Sequence, residues 1–383
     1  MKKNLNIGFF TDTFVPQING VVTSVQIIQK ELEKKGNKVY VFAPSPKTIE
    51  DNINVFRLPS VKFIFQPEMR VSLPYSWKID RKLKSLNLDI VHAHTPFGLG
   101  FFGKYTAQRL KIPFLQTFHT LYPEYLHYVL GPMGKTILAK YGAKKLIKAL
   151  YGSSDIIVSP SLKIKDYLEG ECQIKKPIKV ISTGIDIESF KRVDQNIFRQ
   201  QSDLDKKDKI LLFVGRLGRE KNIDFLIKAL SFIKDKNTKL LIVGDGLEKE
   251  NLKKLTKELS LEERVIFLGY ISRKKIPFVF ASSDIFVFAS KTETQGLVLI
   301  EAAVSKKPIV ALSDLVVQEF VKNNRNGFVI KENPKTFAQA IEKLLKDNKL
   351  SKKFSQNSFK IAQSFSLESQ TEKLVELYDK LKS

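Results

Sequence analysis

Two glutamates, Glu293 and Glu301, stand eight positions apart in "FASKTETQGLVLIEA" (288–302), with Gly296 and a run of aliphatic residues between them. If "DIFVFAS" is a buried strand and a helix starts near Gly296, Glu293 occupies the loop at the strand's carboxyl end. Open α/β sheets bind their ligands there. The first helical N–H groups, around Gly296 and Leu297, have no intrahelical partners and lie at the positive end of the helix dipole, so they suit a phosphate. Gly296 lets that backbone come close. Glu301 follows Leu297 by four residues, shares a helix face with the first turn, and can reach hydroxyls beside the phosphate. A carboxylate for each of two polyols, with a phosphate between them, describes a nucleotide sugar. The spacing by itself is also that of an ordinary acidic helix, so the neighbours of the pair decide.

Two cations and a histidine occupy similar strand ends. "LLFVGRLGREKN" puts Arg216 directly after an apolar strand and Lys221 five residues later at a helix start. Cations at that edge neutralise a pyrophosphate, a task otherwise usually left to Mg²⁺. Taken alone, Lys221 also reads as a surface charge. His119 closes "PFLQTFH" on the ligand-binding edge of its sheet, although a lone strand-end histidine also serves packing. Gly20, opening a helix after "TDTFVPQIN", can bring backbone N–H groups to an anion.

That loop lacks G-x-G-x-x-G, which argues against NAD and FAD. No C-x-x-C, H-E-x-x-H or G-x-x-x-x-G-K-[ST] occurs, so zinc sites and P-loops are unsupported. His92 and His94 alternate along a strand and read as packing rather than metal ligation.

The elements that must position these residues form two series. Short apolar runs alternate with amphipathic stretches, the pattern of doubly wound α/β domains. The first series is 5–10, 38–43, 89–94, 113–119, 155–160 and 179–182, with a helix from about Val21 closed by Gly36. The second is 209–215, 239–244, 264–269, 284–289 and 308–312. Between them, residues 182–209 are polar and weakly periodic and read as a linker region. Length favours two domains, drawn at 1–185 and 186–365, with 366–383 a terminal amphipathic helix returning to the first.

Lys+Arg (64) less Asp+Glu (40) leaves +24, a balance that attracts polyanions, or else a lysine-rich background composition. Between Lys62 and Lys148, fourteen basic residues face four acidic ones, so one region carries much of the excess. A single cysteine, Cys172, forms no internal disulfide. The amino-terminal apolar run is broken by Thr11 and Asp12, and no stretch is long enough to span a bilayer. The expectation is a cytoplasmic chain.

In order along the chain, "NGVVTSV" (19–25), His119 in "TFHT", "GRLGREKN" (215–222), "VGDG" (243–246) and "TETQGLVLIEA" (292–302) resemble the GT-B glycosyltransferases of the family-4, E-x7-E type, over nearly the whole sequence. The resemblance implies two Rossmann-like domains facing a cleft: the first faces acceptor and membrane, the second binds the nucleotide sugar. It implies that Glu301 holds the donor ribose and Glu293 the transferred sugar. Arg216 and Lys221 would take the diphosphate, Gly20 and the Gly296–Leu297 amides would line the sugar-phosphate, and His119 would contact the sugar near the reacting centre, making His119 and Glu293 the catalytic pair. The family retains anomeric configuration, by a route in which the leaving phosphate's oxygen accepts the acceptor proton, with no permanent cofactor and no metal called for by any visible motif.

Within the family, "GVVTSV" and "FHTLYPEYLHYV" are most similar to bacterial 1,2-diacylglycerol 3-glucosyltransferases. "STGID" (182–186) stands where many members have a Pro-Asn-Gly turn, and "EKN" (220–222) replaces the frequent Glu-Lys-Gly. A lipid acceptor requires contact with a bilayer. In "GPMGKTILAKYGAKKLIKALYG" the apolar residues alternate with Lys135, Lys140, Lys144, Lys145 and Lys148 in a helical mixture suited to an anionic surface. The same segment also reads as the lysine-coated helix of a soluble enzyme. Trp77, Phe63 and Phe65 nearby are of the interfacial type. The reading is a peripheral-membrane transferase moving glucose from UDP-glucose to the 3-hydroxyl of diacylglycerol, with no nucleic-acid partner. Two alternatives stay open. One is the same chemistry on a glycosylated lipid, a phosphatidylinositol-like lipid or a cell-wall precursor; the other is a non-catalytic protein binding anionic membrane or nucleic acid.

Overall fold

The computed structural model describes residues 4–17, 19–45, 53–63, 66–73, 75–119, 136–191, 193–201 and 204–382. The chain separates into two compact units, Met1–Gly184 with Leu367–Ser383, and Ile185–Ser366.

In the first unit the strands are β1 (Asn6–Phe10), β2 (Lys38–Pro44), β3 (Val55–Leu58), β4 (Ser60–Phe63), β5 (Gln66–Ser72), β6 (Ile90–Ala93), β7 (Phe114–Thr117), β8 (Ile156–Ser159) and β9 (Ile178–Val180). Among the described residues, seven of them pair in parallel in the order β3-β2-β1-β6-β7-β8-β9, while β4 and β5 form a separate antiparallel pair. Phe9, Val41, Ile90 and Leu115 are completely buried, because a parallel sheet is covered on both faces and its strands read as continuous apolar runs. Strand order reverses between β1 and β6, the kind of position at which such sheets bind ligands.

One face of this sheet is closed by two helices, Gly20–Lys34 and the terminal Leu367–Lys382. Leu374, Val375, Leu377 and Tyr378 of the latter sit in the same core as Phe9 and Val41. Its flanks carry ion pairs, Lys35 to Glu372 at 3.3 Å and Lys382 to Asp89 at 2.6 Å.

The second unit repeats the design with β10 (Lys209–Val214), β11 (Thr238–Val243), β12 (Val265–Gly269), β13 (Ile285–Phe288), β14 (Ile309–Leu312) and β15 (Gly327–Ile330). They pair in parallel in the order β12-β11-β10-β13-β14-β15, reversing between β10 and β13. The loops after β10 and β11 touch: a Cβ on Gly244 would lie 1.9 Å from the Gly215 carbonyl oxygen, so "VGDG" needs its first glycine.

Residues 182–209 are not a loose linker. Short helices at Glu188–Lys191 and Gln195–Gln201 bury Phe198 and, beyond them, Leu204 in the second unit's core. Arg199 donates to the Ser282 carbonyl at 2.9 Å and pairs with Asp284 at 3.2 Å. The anchors are too widely spaced to make a periodic pattern. No helix among the described residues is long and apolar enough to cross a membrane.

Candidate active site

In the second unit the predicted residues gather at the β10/β13 reversal. After β10 the chain runs through Arg216 into a tight turn, Arg219–Lys221, closed by the Lys221 amide donating to the Gly218 carbonyl at 3.0 Å. Asn222 then adopts a left-handed conformation and the next helix begins at Ile223. Lys221 therefore precedes the helix rather than starting it. The turn is fastened to the loop after β13: the Glu220 carbonyl accepts from the Ser290 hydroxyl at 3.3 Å and from the Lys291 amide at 3.4 Å. That fastening brings Lys221 to Glu293, and the two form an ion pair whose side chains are only 20% and 15% exposed. Arg216 lies beside them in sequence but turns to Glu220, at 2.7 Å.

Gly296 caps the helix Leu297–Val304 with φ +68°, a conformation costly for any residue with a Cβ. Its added Cβ would also lie 3.1 Å from Leu299 Cδ1 and 3.3 Å from Val316 Cγ1. The first-turn amides thus start from a backbone that only glycine sets without strain. Glu301, one turn on, is buried and ion-paired with Arg273, from the basic turn Arg273–Lys275 that follows β12. Its Oε2 has no hydrogen-bond partner among the described residues. Burial raises its pKa above the usual carboxylate value, and Arg273 opposes that rise.

In the first unit the β1/β6 reversal is occupied by Asp12. Its carboxylate accepts from the Thr95 hydroxyl at 2.7 Å and from the Leu99 amide at 3.0 Å, and burial raises its pKa. Asn19 caps the helix that Gly20 opens, its Oδ1 accepting from the Val22 amide at 2.9 Å, and a Cβ on Gly20 would meet nothing within 4 Å. His119, just past β7, has its Nε2 3.1 Å from His94 Nδ1 and lines a cavity with Ser24, His92, Thr117 and Thr183. Burial lowers its pKa to about 4, so the ring is neutral near pH 7.

Sequence comparison identifies the architecture. Residues 18–189 match the family described as Glycosyltransferase Family 4, and residues 194–361 match Glycosyl transferases group 1. An alpha-monoglucosyldiacylglycerol synthase of Streptococcus pneumoniae is 32% identical over 333 residues, 84% of this chain and 74% of that one. Another, from Acholeplasma laidlawii, is 31% identical over 349 residues, 86% of this chain and 85% of that one. The chain belongs to glycosyltransferase family 4.

This glycosyltransferase shares its GT-B fold with the Anabaena protein HepE in complex with UDP, at TM-score 0.76 and 19% identity over 98% of this chain and 100% of that one. A sucrose-phosphate synthase of Thermosynechococcus elongatus superposes at TM-score 0.76 with 20% identity, covering 98% of each chain. It is a nucleotide-sugar-dependent transferase built from two Rossmann-like units.

The glycosyltransferase carries its lysine-rich segment on a helix, Ile137–Tyr151, capped by Thr136. Ala143, Ile147, Leu150 and Tyr151 face inward, whereas Leu138, Tyr141 and Leu146 are exposed. Leu150 therefore belongs to the core and not to the outward mixture. Lys145 lies over the Tyr141 ring at 4.8 Å and Lys148 is exposed, while Lys144 pairs with Glu171 at 2.6 Å. Trp77 is 52% exposed, under the guanidinium of Arg81 at 4.3 Å. Lys135, the side chains of Lys140 and Phe63, the residue Phe65 and the tyrosine-rich run after His119 lie outside the described residues.

Sequence reading missed the partners: Arg273 for Glu301, Glu220 for Arg216, and His94 for His119. "SRKK" offers no signal that separates Arg273 from the adjacent lysines. His94 carried a signal in "HAH", but one that reads equally as packing.

Proposed function

We propose that this glycosyltransferase moves glucose from UDP-glucose to the 3-hydroxyl of 1,2-diacylglycerol, with retention, at an anionic membrane surface. The observation that carries the acceptor is the likeness, above 30% identity over more than four-fifths of the chain, to two proteins named alpha-monoglucosyldiacylglycerol synthases. The exposed Leu138, Tyr141 and Leu146 beside Lys145 and Lys148 support a membrane-facing first unit.

In this reading the unpartnered Oε2 of Glu301 accepts from the ribose hydroxyls, and Arg216, Lys221 and the amides after Gly296 receive the diphosphate. Glu293 takes the hexose hydroxyls while keeping Lys221 in place. The bond between the anomeric carbon and the phosphate oxygen breaks, the acceptor oxygen bonds that carbon from the same face, and its proton passes to the departing phosphate. UDP leaves with that proton. Cations and amides set in advance around the phosphate stabilise the charge that develops there.

The experiment is nucleotide release from UDP-glucose by the full chain, with and without diacylglycerol in phosphatidylglycerol vesicles. Release that depends on diacylglycerol and yields a glucolipid supports the reading. Release that requires a different lipid, or a different nucleotide sugar, replaces the substrate and keeps the chemistry.

A further inference from the structure

His119 is the end of a column of rings. His92 is held at both nitrogens, Nδ1 2.6 Å from the Tyr378 hydroxyl and Nε2 2.6 Å from the Thr117 hydroxyl. On that anchored ring lies His94, centroids 4.2 Å apart and planes 29° apart, and Phe9 meets the His94 ring edge-to-face at 4.6 Å and 67°. The His94 amide donates to the Phe10 carbonyl at 2.8 Å, so its backbone is fixed as well. Stacked on His92 and bordered by Phe9, the His94 ring turns its Nδ1 to His119 Nε2 at 3.1 Å.

We propose that His94 is a positioning residue for the transfer reaction: through its Nδ1 it holds His119 in a single tautomer, with the His119 proton on Nδ1. The inference rests on the reading above that His119 meets the donor sugar.

Burial keeps both rings neutral near pH 7, so each carries one N–H, and only one proton fits between Nδ1 and Nε2. His94 Nε2 is buried with no partner among the described residues. A proton there would be a buried donor with nothing to donate to, the rarer and costlier kind of orphan. The proton therefore sits on His94 Nδ1 and is donated to His119 Nε2, which leaves the His119 proton on Nδ1. A free histidine side chain favours the proton on Nε2, so this tautomer is imposed by the neighbour. His119 then meets its ligand as an N–H donor, suited to an oxygen lone pair on the sugar or its phosphate, and not as a base.

Nitrogen-15 NMR of the full chain, labelled at its four histidines, reads the tautomers directly. The native protein is expected to show His119 protonated at Nδ1, and His94→Leu to shift it toward the Nε2 form. With UDP-glucose as substrate, kcat of His94→Leu should fall by roughly ten- to a hundredfold, the size of effect expected from a misplaced reacting group, with KM little changed. His94→Asn, whose amide nitrogen falls near the place of Nδ1, should restore both tautomer and most of the turnover. A native His119 protonated at Nε2 overturns the proposal, as does a His94→Leu protein with native tautomer and native kcat. The native spectrum and His94→Asn keep the test intact if His94→Leu does not fold. Full turnover by His119→Ala would overturn the role in transfer together with the reading it rests on, an outcome distinct from a wrong tautomer.

Discussion

Lys221 and Glu293, 72 positions apart in sequence, neutralise each other across the two loops that follow β10 and β13. The pair does two things at once. It fixes one cation against one carboxylate at the β10/β13 reversal, and it avoids leaving a mostly buried charge unpaired.

Glu293→Gln and Lys221→Met should each lower kcat/KM for UDP-glucose by about 10²–10³-fold, the usual cost of removing one preorganised group at developing charge. Because the two act as one unit, the double variant should lose much less than the product of the single losses. Steady-state kinetics of the cycle checks this; additive losses would mean that the pair is not shared by the reaction.

Glu301 is predicted to read the ribose diol. Native enzyme should bind UDP more tightly than 2′-deoxy-UDP by roughly ten- to a hundredfold, the range for a hydrogen bond to a charged group, and Glu301→Gln should abolish the preference. Calorimetric titration of both nucleotides decides. Equal native affinity for the two would remove Glu301 from the ribose.

The three described lysine side chains of the helix Ile137–Tyr151 should not be equivalent at a membrane. Lys144 is already paired with Glu171, so Lys144→Gln should change vesicle binding little. Lys145→Gln and Lys148→Gln should each cost about 1 kcal/mol on phosphatidylglycerol vesicles, and the difference should vanish in high salt. Vesicle co-sedimentation measures it. A uniform loss across the three would point to bulk charge rather than to a defined face.

Stability should fall as the solution is acidified from neutrality. His92 and His119 have pKa values lowered from 6.5 to about 3 and about 4 by burial. The unfolded chain therefore binds more protons in that interval, and stability present above pH 6.5 is lost as pH drops through it, by at most about 1.4 kcal/mol per pH unit for each ring. Asp12 and Glu301, raised by burial, act with the opposite sign from the ordinary carboxylate range upward, and they do so equally in the native protein and in His92→Phe, so the comparison of the two isolates the ring. Urea midpoints at pH 7 and pH 5.5 should differ in the native protein and differ less in His92→Phe. Equal slopes in the two proteins would sink the assignment.

The central strands of both sheets were legible because parallel strands buried on both faces read as unbroken apolar runs. The edge strands β3 and β15 were not: "VFRL" is interrupted by Arg57, and "GFVI" leaves Val329 and Ile330 only partly buried. The same limit applies at the site. Glu293, Lys221 and Gly296 stand at strand and helix ends that sequence locates, whereas Arg273 reaches Glu301 from a turn whose direction depends on tertiary packing. His94 was legible as a packed ring. Its bond to His119 was not, since alternation along a strand says nothing about which neighbouring strand end it faces.

The second unit is inserted into the first: the chain leaves after Gly184 and returns at Leu367, and the Ile185 amide donates to the Phe365 carbonyl at 2.9 Å where the two crossings meet. During synthesis this imposes an order of completion. The whole of Ile185–Ser366 has emerged before Leu374, Leu377 and Tyr378 can cover the sheet begun by Asn6–Phe10. The later-written unit therefore finishes first, since domains fold as units as they emerge. The Tyr378 hydroxyl that anchors His92 is made only after the whole of Ile185–Ser366, so the ring column behind His119 is set after the second unit has been synthesised.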